Sequence, residues 1–378
     1  MSYFECPSIT ISEIQMLHHL SSHYSRRFTL VLALALFATI FPSVSSRQCM
    51  AEDAAPSKYL DVPPEFNVTF EPAEKETEIP EHFRLASHEV RTDAELLRTS
   101  GPVRIFRVRF PSPVETEISV NNTVHAEYFQ PAGPGPFPAC VVLHILGGEF
   151  PLSQMTANAL ARKGVAALFI KMPFYGERRS PNSPRRMIAR DPRETVANMT
   201  QAVLDIRRGA AWLSSRQEVD KNRLGVTGIS LGGIMSALSA VGEPRFQHVA
   251  AYLGGGQLGE ILWDMERPEV DQFRTEWMNK GGTRESFLEM VAPVDPAKYG
   301  HLLKSRRILM VNALHDEIIP KASTLALYEA VDRQAELVWL DAGHITAATF
   351  LYGETERLTR FFTTETKLEA APGENEDK

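Results

Sequence analysis

The chain has only three cysteines among its 378 residues, namely Cys6, Cys49 and Cys140. Three thiols cannot form the disulfide framework of a small secreted domain, and they do not supply the four ligands of a structural zinc site. The HExxH pattern of zinc proteases does not occur, and no GxGxxG pattern follows an early strand, where a dinucleotide-binding domain would carry it. The sequence therefore predicts a protein that uses no metal ion and no cofactor.

Positive charge is not in excess either. Lys and Arg number 40 against 47 Asp and Glu, which leaves a net charge of −7 at pH 7. A generally basic nucleic-acid-binding protein would carry the opposite sign, so nucleic acid is not an expected partner. Hydrophobic residues make up 43% and charged residues 23% of the chain, and these proportions are typical of a globular protein rather than a disordered one.

Long hydrophobic runs are missing apart from one short stretch. Residues Phe28–Phe41 carry no charge, but this run is shorter than the ~20 apolar residues that a membrane-spanning helix needs. Arg26 and Arg27 precede it and small residues follow it up to Ser46, which is the arrangement of a secretory signal peptide. We therefore expect a signal peptide over 1–46 and a secreted or periplasmic protein with no stable membrane span after cleavage. An uncleaved N-terminal anchor is the alternative.

Three regions follow the predicted signal peptide. Residues 47–100 are rich in Pro and Glu and predict an extended N-terminal arm with one short helix at Asp93–Arg98. Residues 366–378 are polar and predict a disordered tail. Residues 101–365 predict one domain, in which short apolar runs alternate with helical stretches. The runs that we interpret as strands are Arg104–Phe110, Val124–Gln130, Ala139–Leu146, Val165–Ile170, Leu224–Thr227, His248–Leu253, Arg307–Asn312 and Leu337–Leu340.

The clearest helix runs from Glu194 to Leu213, where apolar residues recur at spacings of three and four and form one stripe. Asp191 and Pro192 stand before it, and Glu194 follows the aspartate by three residues, which is typical of a helix start. Helices between buried strands imply right-handed crossovers. The sequence therefore predicts an α/β fold with a mostly parallel central sheet flanked by helices.

A serine in a glycine-rich turn is the strongest functional signal. The stretch Leu224–Gly233 reads LGVTGISLGG and places the pattern G-x-S-x-G between a strand and a small-residue helix, with Ser230 at its centre. Such a turn exposes the serine hydroxyl, while Gly228 and Gly232 let the strand and the helix approach each other. The backbone N–H of Leu231 is then available to a developing oxyanion. The alternative is a glycine-rich turn with a solvent-exposed serine.

The stretch Val219–Gly233 (VDKNRLGVTGISLGG) resembles the α/β-hydrolase fold. It is most similar to the branch that contains dienelactone hydrolases, acetyl xylan esterases and prolyl-oligopeptidase-like enzymes. The resemblance covers roughly Arg104–Phe362, and it implies a nucleophilic serine followed along the chain by an Asp or Glu and then by a His. Its motifs are specific for the fold and carry little information about the substrate.

Three histidines lie well downstream of Ser230, namely His301, His315 and His344. A serine hydroxyl is a poor nucleophile at neutral pH, so one of them has to take its proton. His344 follows a predicted strand in the turn Asp341–His344, at the kind of strand end where α/β sheets place ligand-contacting groups. We therefore interpret His344 as the general base.

Asp316 is the expected carboxylate partner of His344. It follows the preceding predicted strand, in a turn that resembles the family's HD-x-x-x-P acid turn. Glu317 and Asp341 are the alternatives, although Asp341 is too close to His344 along the chain to face it well. We expect His315 to be a structural neighbour rather than a second base.

The second oxyanion donor should come from the loop after the third strand. There His144–Gly148 reads HILGG and resembles the family's HG-x-G-G turn, with Ile145 in place of the first glycine. When the two turns are matched position by position, the resemblance implies that the amide of Leu146 is the second oxyanion donor beside the amide of Leu231. An ordinary glycine turn is the alternative.

Two long connections have more than one interpretation. Residues 172–193 begin with Pro173–Glu177, which resembles the family's P-x-Y-G-x turn, and continue with arginines that either attract an acidic substrate or pair with nearby acids. Residues 254–303 predict a helical cap insertion, whose aromatic residues either line a pocket or form the core of the cap. The side chains in question are Arg178, Arg179, Arg185 and Arg186 in the loop and Trp263, Phe273, Trp277 and Phe287 in the cap.

These features predict a secreted serine hydrolase with Ser230, Asp316 and His344 as catalytic residues and Leu231 and Leu146 as oxyanion donors. The expected substrate is a small-molecule or carbohydrate ester, because acetyl xylan esterases are among the similar proteins. A prolyl-oligopeptidase-like peptidase is one alternative, although the hundred or so residues upstream are too few for that family's propeller domain. A non-catalytic binding protein of the same fold is the other. The oligomeric state stays open.

Overall fold

The computed structural model describes residues 59–74 and 76–364. The predicted signal peptide at 1–46 and the predicted tail at 366–378 lie outside these residues, as do Cys6 and Cys49. Strands of the described part form one ten-stranded sheet. They are β1 (Glu65–Phe70), β2 (His88–Ser100), β3 (Val103–Pro111), β4 (Thr123–Pro131), β5 (Phe137–Leu143), β6 (Ala166–Lys171), β7 (Val219–Ile229), β8 (Phe246–Tyr252), β9 (Arg307–Ala313) and β10 (Glu336–Leu340).

The strands lie in the order β1-β2-β3-β4-β6-β5-β7-β8-β9-β10 across the sheet. From β1 to β6 each strand is antiparallel to its neighbour, whereas β6, β5, β7, β8, β9 and β10 run parallel to one another. Val141, Val226 and Val249 lie in the middle of this parallel part and are buried. The mostly parallel sheet that the short apolar runs predict is therefore confirmed.

The described part also contains eight α-helices. They are α1 (Phe150–Arg162), α2 (Pro192–Ser214), α3 (Leu231–Gly242), α4 (Leu258–Asp264), α5 (Pro268–Asn279), α6 (Arg284–Val291), α7 (Lys321–Ala330) and α8 (Leu351–Thr363). Helices α1 and α8 contribute Leu160 and Phe362 to a buried apolar cluster on one face of the sheet. Helices α2, α3 and α7 contribute Met199, Met235 and Leu327 to the cluster on the other face. None of the helices that the structure describes combines the length and the apolar character needed to cross a membrane.

Helix α2 begins as its sequence predicts. A side-chain oxygen of Asp191 accepts a hydrogen bond from the Arg193 N–H at 2.9 Å, and Pro192 stands in the first turn. The aspartate thus satisfies one of the N–H groups that have no partner within the helix, and proline removes another. The observed bounds enclose the predicted helix Glu194–Leu213.

The described part of the predicted N-terminal arm differs from expectation. It adds β1 and β2 to the sheet, and the predicted helix at Asp93–Arg98 is wrong because these residues lie within β2. The physical reason is a period of two: Val90, Thr92 and Ala94 are buried, while the residues between them face away from the core. Asp93 also forms an ion pair with Arg109 of β3 at 2.8 Å, which favours the strand.

Residues 254–303, for which the sequence predicts a helical cap insertion, connect β8 with β9. This connection consists of α4, α5 and α6 followed by the 3₁₀ segments Ala292–Val294 and Pro296–Leu303. Four aromatic rings from the three α-helices contact one another, with centroid distances between 5.1 and 6.3 Å. These rings, which form the core of the connection, are Trp263, Phe273, Trp277 and Phe287.

Candidate active site

The turn around Ser230 has a strained backbone. Strand β7 ends at Ile229, α3 begins at Leu231, and Ser230 between them has φ 58° and ψ −118°. Non-glycine residues with positive φ are uncommon and cost free energy, so the surrounding structure has to enforce them. The Ser230 N–H donates to the Tyr252 carbonyl of β8 at 2.9 Å, which fixes the turn to the neighbouring strand.

Close packing explains the glycines of this turn. A Cβ atom on Gly228 would lie 2.5 Å from backbone atoms of Gly232, and one on Gly232 would lie 2.6 Å from the Leu143 carbonyl oxygen of β5. Both distances are shorter than real Cβ contacts, so glycine at 228 lets β7 meet the start of α3, and glycine at 232 lets α3 pack against the end of β5.

Three side chains that are distant along the chain meet beside this turn. The His344 Nε2 atom lies 2.9 Å from the Ser230 Oγ atom. The His344 Nδ1 atom lies 2.8 Å from Asp316 Oδ2 and 3.0 Å from Asp316 Oδ1. The side chains of His344 and Asp316 are only 7% and 2% exposed. The structure thus brings together the serine, the base and the acid that the sequence singles out.

Strand ends hold these side chains. Asp316 follows β9, and its Oδ1 atom accepts hydrogen bonds from the N–H groups of Ile318 at 2.9 Å and Ile319 at 2.7 Å. These bonds fix the carboxylate within its own turn, and its other oxygen, Oδ2, makes the shorter contact with His344. His344 follows β10, which runs parallel to β9, so both loops leave the same edge of the sheet.

The alternatives for the acid are separated by the geometry. Asp341 Oδ1 lies 2.9 Å from the Nε2 atom of His315, in an exposed pair. Glu317 accepts a hydrogen bond from the backbone N–H of His344 at 2.9 Å, so its contact is with the main chain and not with the imidazole ring. His301 is exposed in the segment Pro296–Leu303. Asp316 is therefore the carboxylate that contacts the His344 ring.

The two expected oxyanion donors belong to neighbouring loops. Leu231 is the first residue of α3, a position whose N–H has no partner within the helix. Leu146 lies in the loop after β5, and β5 pairs directly with β7 through Leu143 and Gly228. Both loops thus leave the same edge of adjacent parallel strands, although the sequence position alone assigns the Leu146 amide its role.

Two side chains that the sequence did not identify fix the loop that carries Leu146. The Tyr175 hydroxyl donates to the Leu146 carbonyl at 2.7 Å. His144 is fully buried and bridges two backbone groups, with Nδ1 2.9 Å from the Ile145 carbonyl oxygen and Nε2 3.0 Å from the Met172 nitrogen. Since the Met172 N–H can only donate, Nε2 accepts and Nδ1 carries the proton. The patterns HILGG and P-x-Y-G contain both residues but do not show that they meet.

Burial sets the charge of His144. Loss of water around the ring lowers the pKa of His144 from its usual value to about 4, although its bond to Ile145 acts in the opposite direction. His144 is therefore neutral at pH 7. Its ring lies 4.5 Å from the Tyr175 ring and 5.2 Å from the Phe150 ring, so the loop is held by apolar contacts as well as by hydrogen bonds.

Three of the four arginines singled out in the loop at 172–193 contact the protein itself. Arg178 is fully buried and lies 2.8 Å from the carboxylate of Asp205 on α2. Arg185 lies 3.6 Å from Glu194, and Arg186 donates to carbonyl oxygens of its own loop. These contacts favour the interpretation of a self-paired loop over that of a binding site for acidic substrates. Within the described ranges 59–74 and 76–364, no group of three or more acidic, histidine or cysteine side chains is arranged as a metal site.

Two family models match parts of the chain. The model of the prolyl oligopeptidase family matches residues 197–369. The model of the family called alpha/beta hydrolase domain containing 18 matches residues 109–254. The chain is also 31% identical over 139 residues to 2,6-dihydropseudooxynicotine hydrolase of Paenarthrobacter nicotinovorans. That match covers 36% of this chain and 33% of the relative, so the chain spans about a third of the relative's length.

Solved structures show a similar fold over most of the chain. An acetyl xylan esterase from Paenibacillus sp. R4 superimposes with a TM-score of 0.57 at 21% identity, over 71% of this chain and 88% of that chain. Acetyl xylan esterase 1 from Thermoanaerobacterium sp. JW/SL YS485 gives a TM-score of 0.55 at 19% identity, over 72% of this chain and 88% of that chain. Identities this low show a shared fold. The family matches and this shared fold show that the chain has the α/β-hydrolase fold.

Proposed function

We propose that this hydrolase cleaves carboxylic esters through a Ser-His-Asp triad and an acyl-enzyme intermediate. The observation that carries the proposal is the unbroken chain of short contacts from Ser230 Oγ to His344 Nε2 and from His344 Nδ1 to Asp316. An imidazole placed in this way can take the serine proton, and a buried carboxylate behind it holds the ring in the right tautomer and orientation.

The proposed reaction has two halves. Ser230 Oγ attacks the ester carbonyl while His344 Nε2 removes its proton, and the amides of Leu231 and Leu146 stabilise the oxyanion of the tetrahedral intermediate. His344 then returns the proton to the leaving alcohol and an acyl-serine remains. A water molecule, deprotonated by the same imidazole, hydrolyses this ester and frees the serine. Removing one oxyanion donor typically lowers kcat by about 100- to 1000-fold, so the loop that carries Leu146 matters to the rate.

Acetylated carbohydrate is the substrate class that we favour. The support is the similarity of the fold to two proteins named acetyl xylan esterases, each covered over 88% of its length. The second candidate is a prolyl-oligopeptidase-like peptidase, which the family match at residues 197–369 favours. Both use the same triad, so only a comparison of substrates separates them.

We also propose that the protein acts outside the cytoplasm. The support is the signal-peptide pattern at residues 1–46 of the sequence. Fractionation of cells that express the full chain, with N-terminal sequencing of the exported form, tests this proposal. An exported protein that begins soon after Ser46 supports it, and a full-length protein confined to the cytoplasm contradicts it.

Labelling with a fluorophosphonate probe tests the enzyme proposal. The wild type should be labelled, Ser230→Ala should not be labelled, and His344→Ala should react far more slowly because its serine is no longer activated. A folded wild type that resists the probe would indicate a non-catalytic binding protein. A panel of nitrophenyl esters, acetylated xylo-oligosaccharides and Xaa-Pro anilides then assigns the bond, and faster cleavage of the anilides would favour the peptidase.

A further inference from the structure

Two adjacent residues of one turn contact the loop that carries His344, and they contact different parts of it. Asp316 contacts the imidazole ring, at 2.8 Å from Nδ1. Glu317 contacts the backbone, because its Oε2 atom accepts a hydrogen bond from the His344 N–H at 2.9 Å. The residue bearing the imidazole is thus held both at its ring and at its main chain by consecutive carboxylates.

Gly343, the residue before the histidine, leaves room for the Glu317 carboxylate. A Cβ atom on Gly343 would lie 2.8 Å from Glu317 Oε2, so any larger residue at 343 would push the carboxylate away from the His344 N–H. The Gly343 N–H itself donates to the Thr346 hydroxyl at 2.9 Å, and the Gly343 carbonyl accepts from the Ala347 N–H at 3.0 Å. Glu317 joins this self-bonded loop to the Asp316 turn through the histidine's own amide, in addition to the backbone bond from the His315 N–H to the Ala342 carbonyl at 2.9 Å.

The main chain at His344 decides where its ring lies. A catalytic side chain has to be held to within about 0.5 Å of its productive position, and small displacements lower the rate strongly. The ring must contact Ser230 on one side and Asp316 on the other, and those residues come from loops after β7 and β9. A hydrogen bond that a carboxylate accepts is about twice as strong as one between neutral groups, so Glu317 is well suited to fix the loop after β10.

We propose that Glu317 is a positioning residue for the proposed reaction. It acts through the backbone of His344 and touches neither the serine oxygen nor the imidazole ring. This inference rests on the proposed serine hydrolase function. Glu317 is exposed, so its replacement leaves the buried core of the protein intact.

The test compares Glu317→Ala, Glu317→Gln and Asp341→Asn with the wild type in hydrolysis of an activated acetyl ester. Asp341 is the matched control, since it is an exposed carboxylate of the same two-loop region that pairs with His315 and not with His344. We expect Glu317→Ala to lower kcat about tenfold with KM changed less than about twofold, because misplaced groups affect the chemical step more than binding. Glu317→Gln keeps an acceptor oxygen and should recover most of the rate. Asp341→Asn should match the wild type.

Hydrogen exchange supplies a readout that does not depend on activity. The peptide that covers residues 341–350 should exchange faster in Glu317→Ala than in the wild type or in Asp341→Asn. Wild-type kcat in Glu317→Ala, or a loss in Glu317→Gln as large as that in Glu317→Ala, would overturn the proposed role. Failure of the proposed function would look different. The wild type itself would then show neither ester hydrolysis nor fluorophosphonate labelling, and the positioning role of Glu317 would be overturned with it.

Discussion

Ser230 adopts its unfavourable backbone conformation because close packing on both sides leaves it no other. The glycines around it bring β7, α3 and β5 within distances that no Cβ atom tolerates. This constraint is local in the sequence, which is why the pattern G-x-S-x-G between a strand and a helix predicts the turn without a structure. Because the constraint depends on a few closely packed residues, a single substitution among them should disturb the turn.

Gly233→Ala should destabilise the protein. A Cβ atom there would lie 2.4 Å from the Tyr252 carbonyl oxygen, which is a backbone atom of β8 and cannot move aside cheaply. We expect the free energy of unfolding to fall by about 1–3 kcal/mol, the usual cost of overpacking, and the rate of ester hydrolysis to fall with it. Urea unfolding of the mutant and the wild type measures the change.

Gly353→Ala is the matched control, since Gly353 lies in α8 and a Cβ atom there meets nothing within 4 Å. Alanine in an open helical position should raise the stability by about 0.5–1 kcal/mol. Equal effects of the two substitutions would contradict the packing argument.

His144 makes the stability of the protein depend on pH. Burial lowers the pKa of His144 and of His248 to about 4, below the value of an unfolded histidine. The unfolded chain therefore binds more protons in the window between the two values, so the contribution to stability is complete above about pH 6.5 and is lost as the pH falls toward 4. For His144 alone the loss is about 3 kcal/mol at the low end.

Urea unfolding at pH 7, 6, 5 and 4.5 measures this loss. The free energy of unfolding should decrease steadily over the series. His144→Gln should be less stable than the wild type at pH 7, because a glutamine cannot replace both hydrogen bonds of the ring, but its decrease with pH should be smaller. An unchanged slope in that variant would show that another group causes the pH dependence.

Helix α2 is joined to the N-terminal segment by a buried cation. The Arg207 side chain is fully buried and lies 2.7 Å from Glu76 and 3.6 Å from Glu243. Glu76 belongs to the region that the sequence predicts as an extended arm, and Glu243 follows α3. Three separate parts of the chain therefore depend on one guanidinium group.

Arg207→Met should lower the free energy of unfolding by about 3–5 kcal/mol, because it leaves the largely buried Glu76 carboxylate without its cation, although Glu243 keeps Arg245 at 2.6 Å. Arg91→Met is the control, since Arg91 forms an exposed pair with Glu65 at a similar distance of 2.8 Å. Exposed pairs contribute about 0–1 kcal/mol, so this variant should unfold close to the wild type. Thermal and urea unfolding compare the two, and similar losses would contradict the role assigned to burial.

Helices and strands were predictable from the sequence where neighbouring residues carry the signal. Apolar runs predict the parallel strands, and Asp191 with Pro192 predicts the start of α2. The wrong helix at Asp93–Arg98 arises because a strand at the antiparallel side of the sheet has polar residues on its exposed face, and these residues mask its period of two. Its ion pairs with β3 join residues 12 and 16 positions apart, which is beyond the reach of a local pattern.

Across the whole molecule, the parallel sheet assembles the site. Ser230, Asp316 and His344 follow β7, β9 and β10, and parallel strands end at the same edge of a sheet. Chain order and the resemblance to α/β-hydrolases were enough to select these residues. Contacts that hold the site were not predictable: Tyr175 reaches the Leu146 carbonyl, and Glu317 reaches the His344 amide, only through tertiary packing.

Trapping the acyl-enzyme tests the proposed mechanism most directly. The protein is mixed with an activated acetyl ester, quenched in acid within the first turnover, digested and analysed by mass spectrometry. The mechanism predicts one added acetyl group on the peptide that contains Ser230, with no such adduct and no hydrolysis in Ser230→Ala. Ester hydrolysis that persists in Ser230→Ala, or an acetyl group carried by a different residue, would contradict it.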